Sequence, residues 1–125
     1  MIAIDTSALV SILLDEPEAG KFALAIQNDD EPLISAASFV ELVLVMKYKQ
    51  GPNTKQIIDR LIKIGNITIA PVTAGQAHIA GEATREFSEL NYGDTFSYAL
   101  AQDRDVPLLF KGADFSHTDV TMAAY

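Results

Sequence analysis

Short apolar runs set between helical segments constrain this chain more than any other feature. Four such runs occur, at 2–5 (IAID), 32–35 (PLIS), 67–72 (ITIAPV) and 106–110 (VPLLF), and each reads as a buried strand. Residues 7–16, 18–27, 38–49, 54–64, 73–90 and 94–104 read as helices between them. The segment 54–64 carries apolar residues at 57, 58, 61 and 62, an amphipathic stripe, and 73–90 opens with the capping-box pattern Thr73-x-x-Gln76. The segment 38–49 is apolar nearly all round and is expected to be deeply buried. Residues 120–125 are expected to add a short last strand. Helices alternating with short apolar strands indicate an α/β fold on a parallel sheet. In such sheets ligands bind beyond the carboxyl ends of the strands.

The length, 125 residues, suits one domain spanning 1–125. Folding at this size buries about two-thirds of the unfolded chain's surface, so the core needs no staples. Cysteine is absent, which excludes disulfides and thiolate metal sites, and two histidines are too few for a histidine-dominated zinc site. A metal here would be held by oxygen, which favours a hard ion such as Mg2+ or Mn2+. No run reaches the roughly 18 apolar residues of a membrane span. The start, MIAIDTSALV, lacks the basic segment of a signal peptide, so a soluble, cytoplasmic protein is expected. The net charge of −8 argues against a broad basic surface for nucleic acid. Five of the nine bases, however, fall between residues 47 and 63, which leaves room for a local basic face.

Four acids stand at the strand ends and helix starts. Asp5 ends the first strand, Glu41 enters the helix after the second, Asp94 opens the last long helix, and Asp114 follows the fourth strand. Each has an ordinary explanation. Asp5 and Asp94 suit helix caps, Ser38-x-x-Glu41 fits a capping box, and Gly-Ala-Asp is common loop chemistry. Their placement is more telling than any one of them. If the first and fourth strands are neighbours, the four acids converge at one end of the sheet. Four carboxylates cannot gather without something positive, because like charges at close range force protonation. One or two divalent cations would resolve the repulsion. A two-metal carboxylate site serves in-line phosphodiester cleavage, one ion activating water and the other stabilising the leaving oxygen. Thr6, Ser7, Thr95 and Ser97 lie beside Asp5 and Asp94, where they suit helix starts or the orientation of a carboxylate. Lys47, Lys49 and Lys55 form a solvated helical face that a phosphate backbone can also use.

These residues fall in three stretches: IDTSALV, ISAASFVELVLV, and LNYGDTFSYALAQDRDVPLLFKGADFSHTDV. Together they span the chain, and it resembles the PIN-domain proteins, specifically VapC-type toxin ribonucleases of type II toxin–antitoxin systems. The resemblance implies a three-layer α/β/α sandwich on a parallel sheet of about five strands. It implies an endoribonuclease that uses Mg2+ or Mn2+, one or two ions per site, cleaves RNA and so stops translation. Asp5, Glu41, Asp94 and Asp114 match the family's acidic quartet, with Asp5 and Asp94 as principal metal ligands. Asp119 matches a further, variably used acid. A homodimer and inhibition by a VapB-like antitoxin are implied as well. Two positions depart from the usual pattern: Thr95 stands where cysteine is common, and Ala113 where Asn or Asp is common.

Two other readings compete. A PIN-like scaffold without catalysis would keep the fold but has no need of an intact quartet. A phospho-accepting receiver domain shares the length, the fold class and a lysine after a late strand, here Lys111. Receivers need paired acids after strand one and an Asp after strand three. Here Thr-Ser follows Asp5, and strand three ends TIAPV.

Overall fold

A computed structural model describes residues 1–125. The elements run β1 (Ile2–Ile4), α1 (Thr6–Leu13), α2 (Ala19–Gln27), β2 (Pro32–Ser35), α3 (Ala36–Gln50), α4 (Lys55–Ile64), β3 (Thr68–Ala70), α5 (Ala74–Glu86), α6 (Tyr92–Arg104) and β4 (Leu108–Leu109). The four strands form one parallel sheet in the order β3-β2-β1-β4. The first and fourth strands are therefore neighbours, the condition on which convergence of the acids depended.

Alternation along the strands builds the layers. Ala3, Leu33 and Leu108 enter a cluster with Tyr98, Leu100 and Ala83 from α5 and α6. Their neighbours Ile4, Ile34 and Leu109 enter another with Leu9, Phe22, Leu42 and Ile58 from α1, α2, α3 and α4. Burial on both faces explains why β1, β2 and β4 read as continuous apolar runs rather than alternating ones, whereas the edge strand β3 exposes Thr68 and Ile69. Truncating a side chain as enclosed as Leu42 to alanine would cost about 2–5 kcal/mol.

Five expectations need correction. The sheet has four strands rather than about five. The last segment makes only an isolated bridge, Leu108 to Met122, before Ala123 turns into the core. α3 begins at Ala36, because Ser35 caps it by accepting from the Ala37 amide. α6 begins at Tyr92, because Asn91, not Asp94, is its cap. Nor is α3 deeply buried all round: Val40 and Leu44 are 65% and 64% exposed, and only Ser38, Leu42 and Met46 are enclosed.

Candidate active site

β1 delivers Asp5 to the carboxyl end of the sheet, where the chain turns into α1. Its amide still pairs with the Leu109 carbonyl of β4, and its side chain caps α1. Oδ2 accepts from the Ser7 amide at 3.0 Å, and Oδ1 accepts from the Ser97 hydroxyl at 2.6 Å. The Ser97 oxygen lies 3.1 Å from that of Ser38. Since Ser97 gives its proton to Asp5, Ser38 is the donor in that pair. A buried relay from α3 through α6 thus fixes the direction of Asp5. Thr6 supports it from the side, its hydroxyl donating to the Ser38 carbonyl at 2.9 Å. Ser7 closes the other flank, its hydroxyl accepting from the Lys111 amide at 2.9 Å.

Asp94 is the third residue of α6 and forms a capping box with Asn91. Its amide donates to Asn91 Oδ1 at 2.9 Å, and its Oδ2 accepts from the Asn91 amide at 3.1 Å. Burial pushes the Asp94 carboxyl up to about 7. The Asn91 bond pulls it down, and the charges of Asp5, Asp114 and Glu41 raise it further. Glu41 lies in the second turn of α3, not the first. The expected capping box with Ser38 does not form, because the Ser38 hydroxyl faces Ser97 inside the protein. Partial burial raises the Glu41 carboxyl, the Thr6 hydroxyl lowers it, and the Asp5 charge raises it again.

Asp5, Glu41 and Asp94 line one open cavity of about 410 Å³, with Glu16 and Lys111 on its wall. Asp114 is exposed on the loop after β4, outside the lining but near enough to press on Asp94. The oxygens do not close into a ready-made cluster of three. None of these four acids has a basic group within ion-pair range. Lys111, the one base on the cavity wall, is held by Glu16 at 2.9 Å and Glu18 at 3.4 Å. A larger cavity of about 510 Å³ opens beside Ile2, Leu24 and Tyr125, but no acids converge there.

The remaining expected residues divide. Ser7, Ser97 and Thr6 touch Asp5, Glu41 or the backbone that carries them. Thr95 does not: its buried hydroxyl donates to the Tyr92 carbonyl at 2.6 Å, within its own helix. Asp119 is not part of the cavity lining and accepts from the Tyr98 hydroxyl at 2.6 Å and Gln102 Nε2 at 2.8 Å. It pins the last loop to α6. Burial and that bond push the Tyr98 phenol up to about 12. Lys47 and Lys49 are exposed at the end of α3, and Lys55 is paired with Asp59. Lys49 is close enough to Glu16 to help lower its carboxyl, behind the Lys111 bond that dominates.

Sequence reasoning missed Ser38 and Glu16 as neighbours of the site. A serine inside an apolar helix, three residues before the lone acid, was the signal for Ser38. Nothing local marked Glu16, which a turn beyond α1 brings to Lys111.

The PIN domain family model matches residues 2–120. The chain is 42% identical over 127 residues to Ribonuclease VapC28 of Mycobacterium tuberculosis, covering 96% of each. Its fold is similar to the crystal structure of Mycobacterium tuberculosis VapC20, a sarcin–ricin loop cleaving toxin. The TM-score is 0.78 at 18% identity over 97% of each chain. It is also similar to a chain of a toxin–antitoxin complex from Klebsiella pneumoniae, with a TM-score of 0.76 at 17% identity over 100% of this chain and 98% of that one.

Proposed function

The chain belongs to the PIN-domain family, and from that premise we propose that it is a VapC-type endoribonuclease, the toxin of a toxin–antitoxin pair. One observation carries the proposal. Three carboxylates from three different elements face one cavity at the carboxyl end of a parallel sheet, without a basic partner. We read residues 1–125 as one catalytic domain acting in the cytoplasm.

The donor set fits a hard divalent ion, Mg2+ or Mn2+, one or two per site. All the donors are oxygens, and the Asp94 carboxyl is raised by burial, with the uncompensated charges of Asp5, Asp114 and Glu41 adding to it. Asp5 and Asp94 would be the principal ligands, with Glu41 and Asp114 completing the set. When bound, such an ion supplies positive charge, activates water and stabilises the leaving oxygen. The protein's own part is orientation. Ser97 and the Ser7 amide hold Asp5, and Asn91 holds Asp94, so the carboxylates keep their aim without reorganising.

RNA is the substrate in this reading, with Lys47, Lys49 and Lys55 meeting its phosphates. A VapB-like antitoxin is the natural partner, given the relatives above. A homodimer is supported by the apolar surface that α3 and α6 expose, where Val40, Leu44 and Tyr92 (80% exposed) adjoin one cavity.

The test is cleavage of total cellular RNA by antitoxin-free protein in Mg2+, Mn2+ or EDTA, beside an Asp94→Asn variant prepared identically. Metal-dependent cutting that the variant loses is expected. A folded wild type that cuts nothing with either metal, or a variant that cuts equally well, would overturn the proposal.

A further inference from the structure

Gly93 sits at the second position of α6, directly before Asp94. Its φ is not positive, so the backbone does not demand glycine there. Glycine is also a poor helix former, so local propensity favours alanine. The reason for glycine is space. A Cβ built on Gly93 would lie 1.9 Å from Glu41 Oε2, 2.6 Å from Cδ and 3.0 Å from Oε1. The whole carboxylate of Glu41 lies against the glycine. No other glycine in the chain is approached this closely. Gly20, Gly51, Gly81 and Gly112 have nothing within 4 Å, and Gly65 is met only at 3.0 Å.

We infer that Gly93 is a positioning residue for the reaction, because the absence of its Cβ lets Glu41 reach the cavity against the first turn of α6. The inference rests on the ribonuclease reading above. That turn also favours the placement, since a helix start attracts negative charge. The obstructed atoms end a flexible side chain, so a methyl at 93 would displace the carboxylate rather than break the fold. Ordinary contact begins near 3.4 Å, so Oε2 would have to retreat by roughly 1.5 Å. A misplacement of about 1 Å can cost on the order of 100-fold in rate.

The experiment is a double-mutant cycle on RNA cleavage at fixed Mn2+, with Gly93→Ala, Glu41→Asp and the pair, and with melting temperatures in EDTA. Glu41→Gln and Gly81→Ala serve as controls. Gly93→Ala is expected to lose about 10- to 100-fold in kcat with a smaller change in KM. Its melting temperature should stay at or above the wild-type value. Glu41→Asp draws the carboxylate back by one methylene, so adding Gly93→Ala to it should change kcat by less than about two-fold. In EDTA, Gly93→Ala should raise the melting temperature more in the Glu41→Asp background than beside Glu41. Gly81→Ala should cut as wild type does.

Equal losses from Gly93→Ala in both backgrounds would overturn the inference, since the methyl would then act without Glu41. So would a fully active Gly93→Ala beside an inactive Glu41→Gln. If Glu41→Gln cuts as well as wild type, the assignment of Glu41 to the site fails first, and Gly93 loses its role with it. A Gly93→Ala variant that unfolds in both backgrounds would also overturn it, because the methyl would then be breaking the fold.

Discussion

Replacing Asp94 by asparagine should make the metal-free protein more stable while abolishing cleavage. The folded protein raises this carboxyl from 3.8 to about 7. Below pH 3.8 both folded and unfolded chains hold the proton, and Asp94 contributes nothing to the pH dependence. Between about 4 and 7 the unfolded chain ionises first, so stability falls as pH rises. Above 7 both are ionised and the penalty is complete. At about 1.36 kcal/mol per pH unit, the ceiling is on the order of 4 kcal/mol. The cavity is open and salt screens the neighbouring acids, so a net gain of about 1–2 kcal/mol is the sounder expectation. Asparagine removes the charge yet can still accept from the Asn91 amide, so the capping box survives. In EDTA at pH 8 the variant should therefore melt about 3–8 °C above wild type. The gap should shrink towards pH 5. Saturating Mn2+ should reverse the order, because ligand at about 100 times its Kd stabilises the wild type by about 2.7 kcal/mol. Differential scanning fluorimetry across pH, with and without metal, measures all three. A variant that melts at or below wild type in EDTA at pH 8, with no dependence on pH, would refute the argument that burial and the neighbouring acids together disfavour the Asp94 charge.

Four further outcomes follow from named contacts. Ser97→Ala strips the 2.6 Å bond from Asp5 and leaves the Ser38 hydroxyl unpaired. It should lower stability by about 1–3 kcal/mol in urea titration and slow cleavage at temperatures where it is folded. Asp119→Ala should cost about 1 kcal/mol through Tyr98 but leave cleavage within a factor of about two, separating this acid from the site. Leu44→Glu places a charge on the exposed α3 surface, and if the proposed homodimer forms through that surface, sedimentation velocity should report a shift from dimer to monomer. Neutralising Lys47, Lys49 and Lys55 together should weaken RNA binding and flatten its salt slope by about 2–3, measured on an inactive variant by fluorescence anisotropy.

The layered architecture was legible because a sheet covered on both faces needs apolar residues at every strand position, and PLIS or VPLLF can satisfy nothing else. Element ends were less so. Ser35 and Ser38 are equally good caps on paper, and only the β2 ladder decides that the helix starts at Ala36. Asn91 and Asp94 pose the same ambiguity, settled by a capping box that uses both. The misjudgement of α3 has a different cause. A helix apolar all round reads as buried, but a chain cannot distinguish burial within itself from burial against another molecule, and Val40 and Leu44 are exposed here. The candidate acids were located by their positions relative to the strands, and Thr6, Ser7 and Ser97 were named beside them. Which carboxylate Ser97 holds, and that Ser38 stands behind it, was not legible, because Ser38 to Ser97 spans 59 residues and Ser97 to Asp5 spans 92.

In the proposed reading, a place at a helix start and a ligand role do not exclude each other for Asp5 and Asp94. A helix start supplies amide donors that engage one carboxylate oxygen and fix its direction. Ser7 does this for Asp5 and Asn91 for Asp94. The remaining lone pairs are then aimed rather than free to rotate, which is what coordination requires. The Asn91 amide favours the ionised form of Asp94 and partly offsets the burial that opposes it. Burial outweighs that bond at Asp94, and the neighbouring acids add to it; the fold tolerates the cost because two apolar clusters flank the sheet that carries the site. A residue serving only as a cap would have no reason to be pressed against other carboxylates. At the cap of α1, serine or threonine would serve as well as Asp5 without its charge. The presence of aspartate at these two helix starts, facing one cavity with Glu41, therefore supports the proposed cation site.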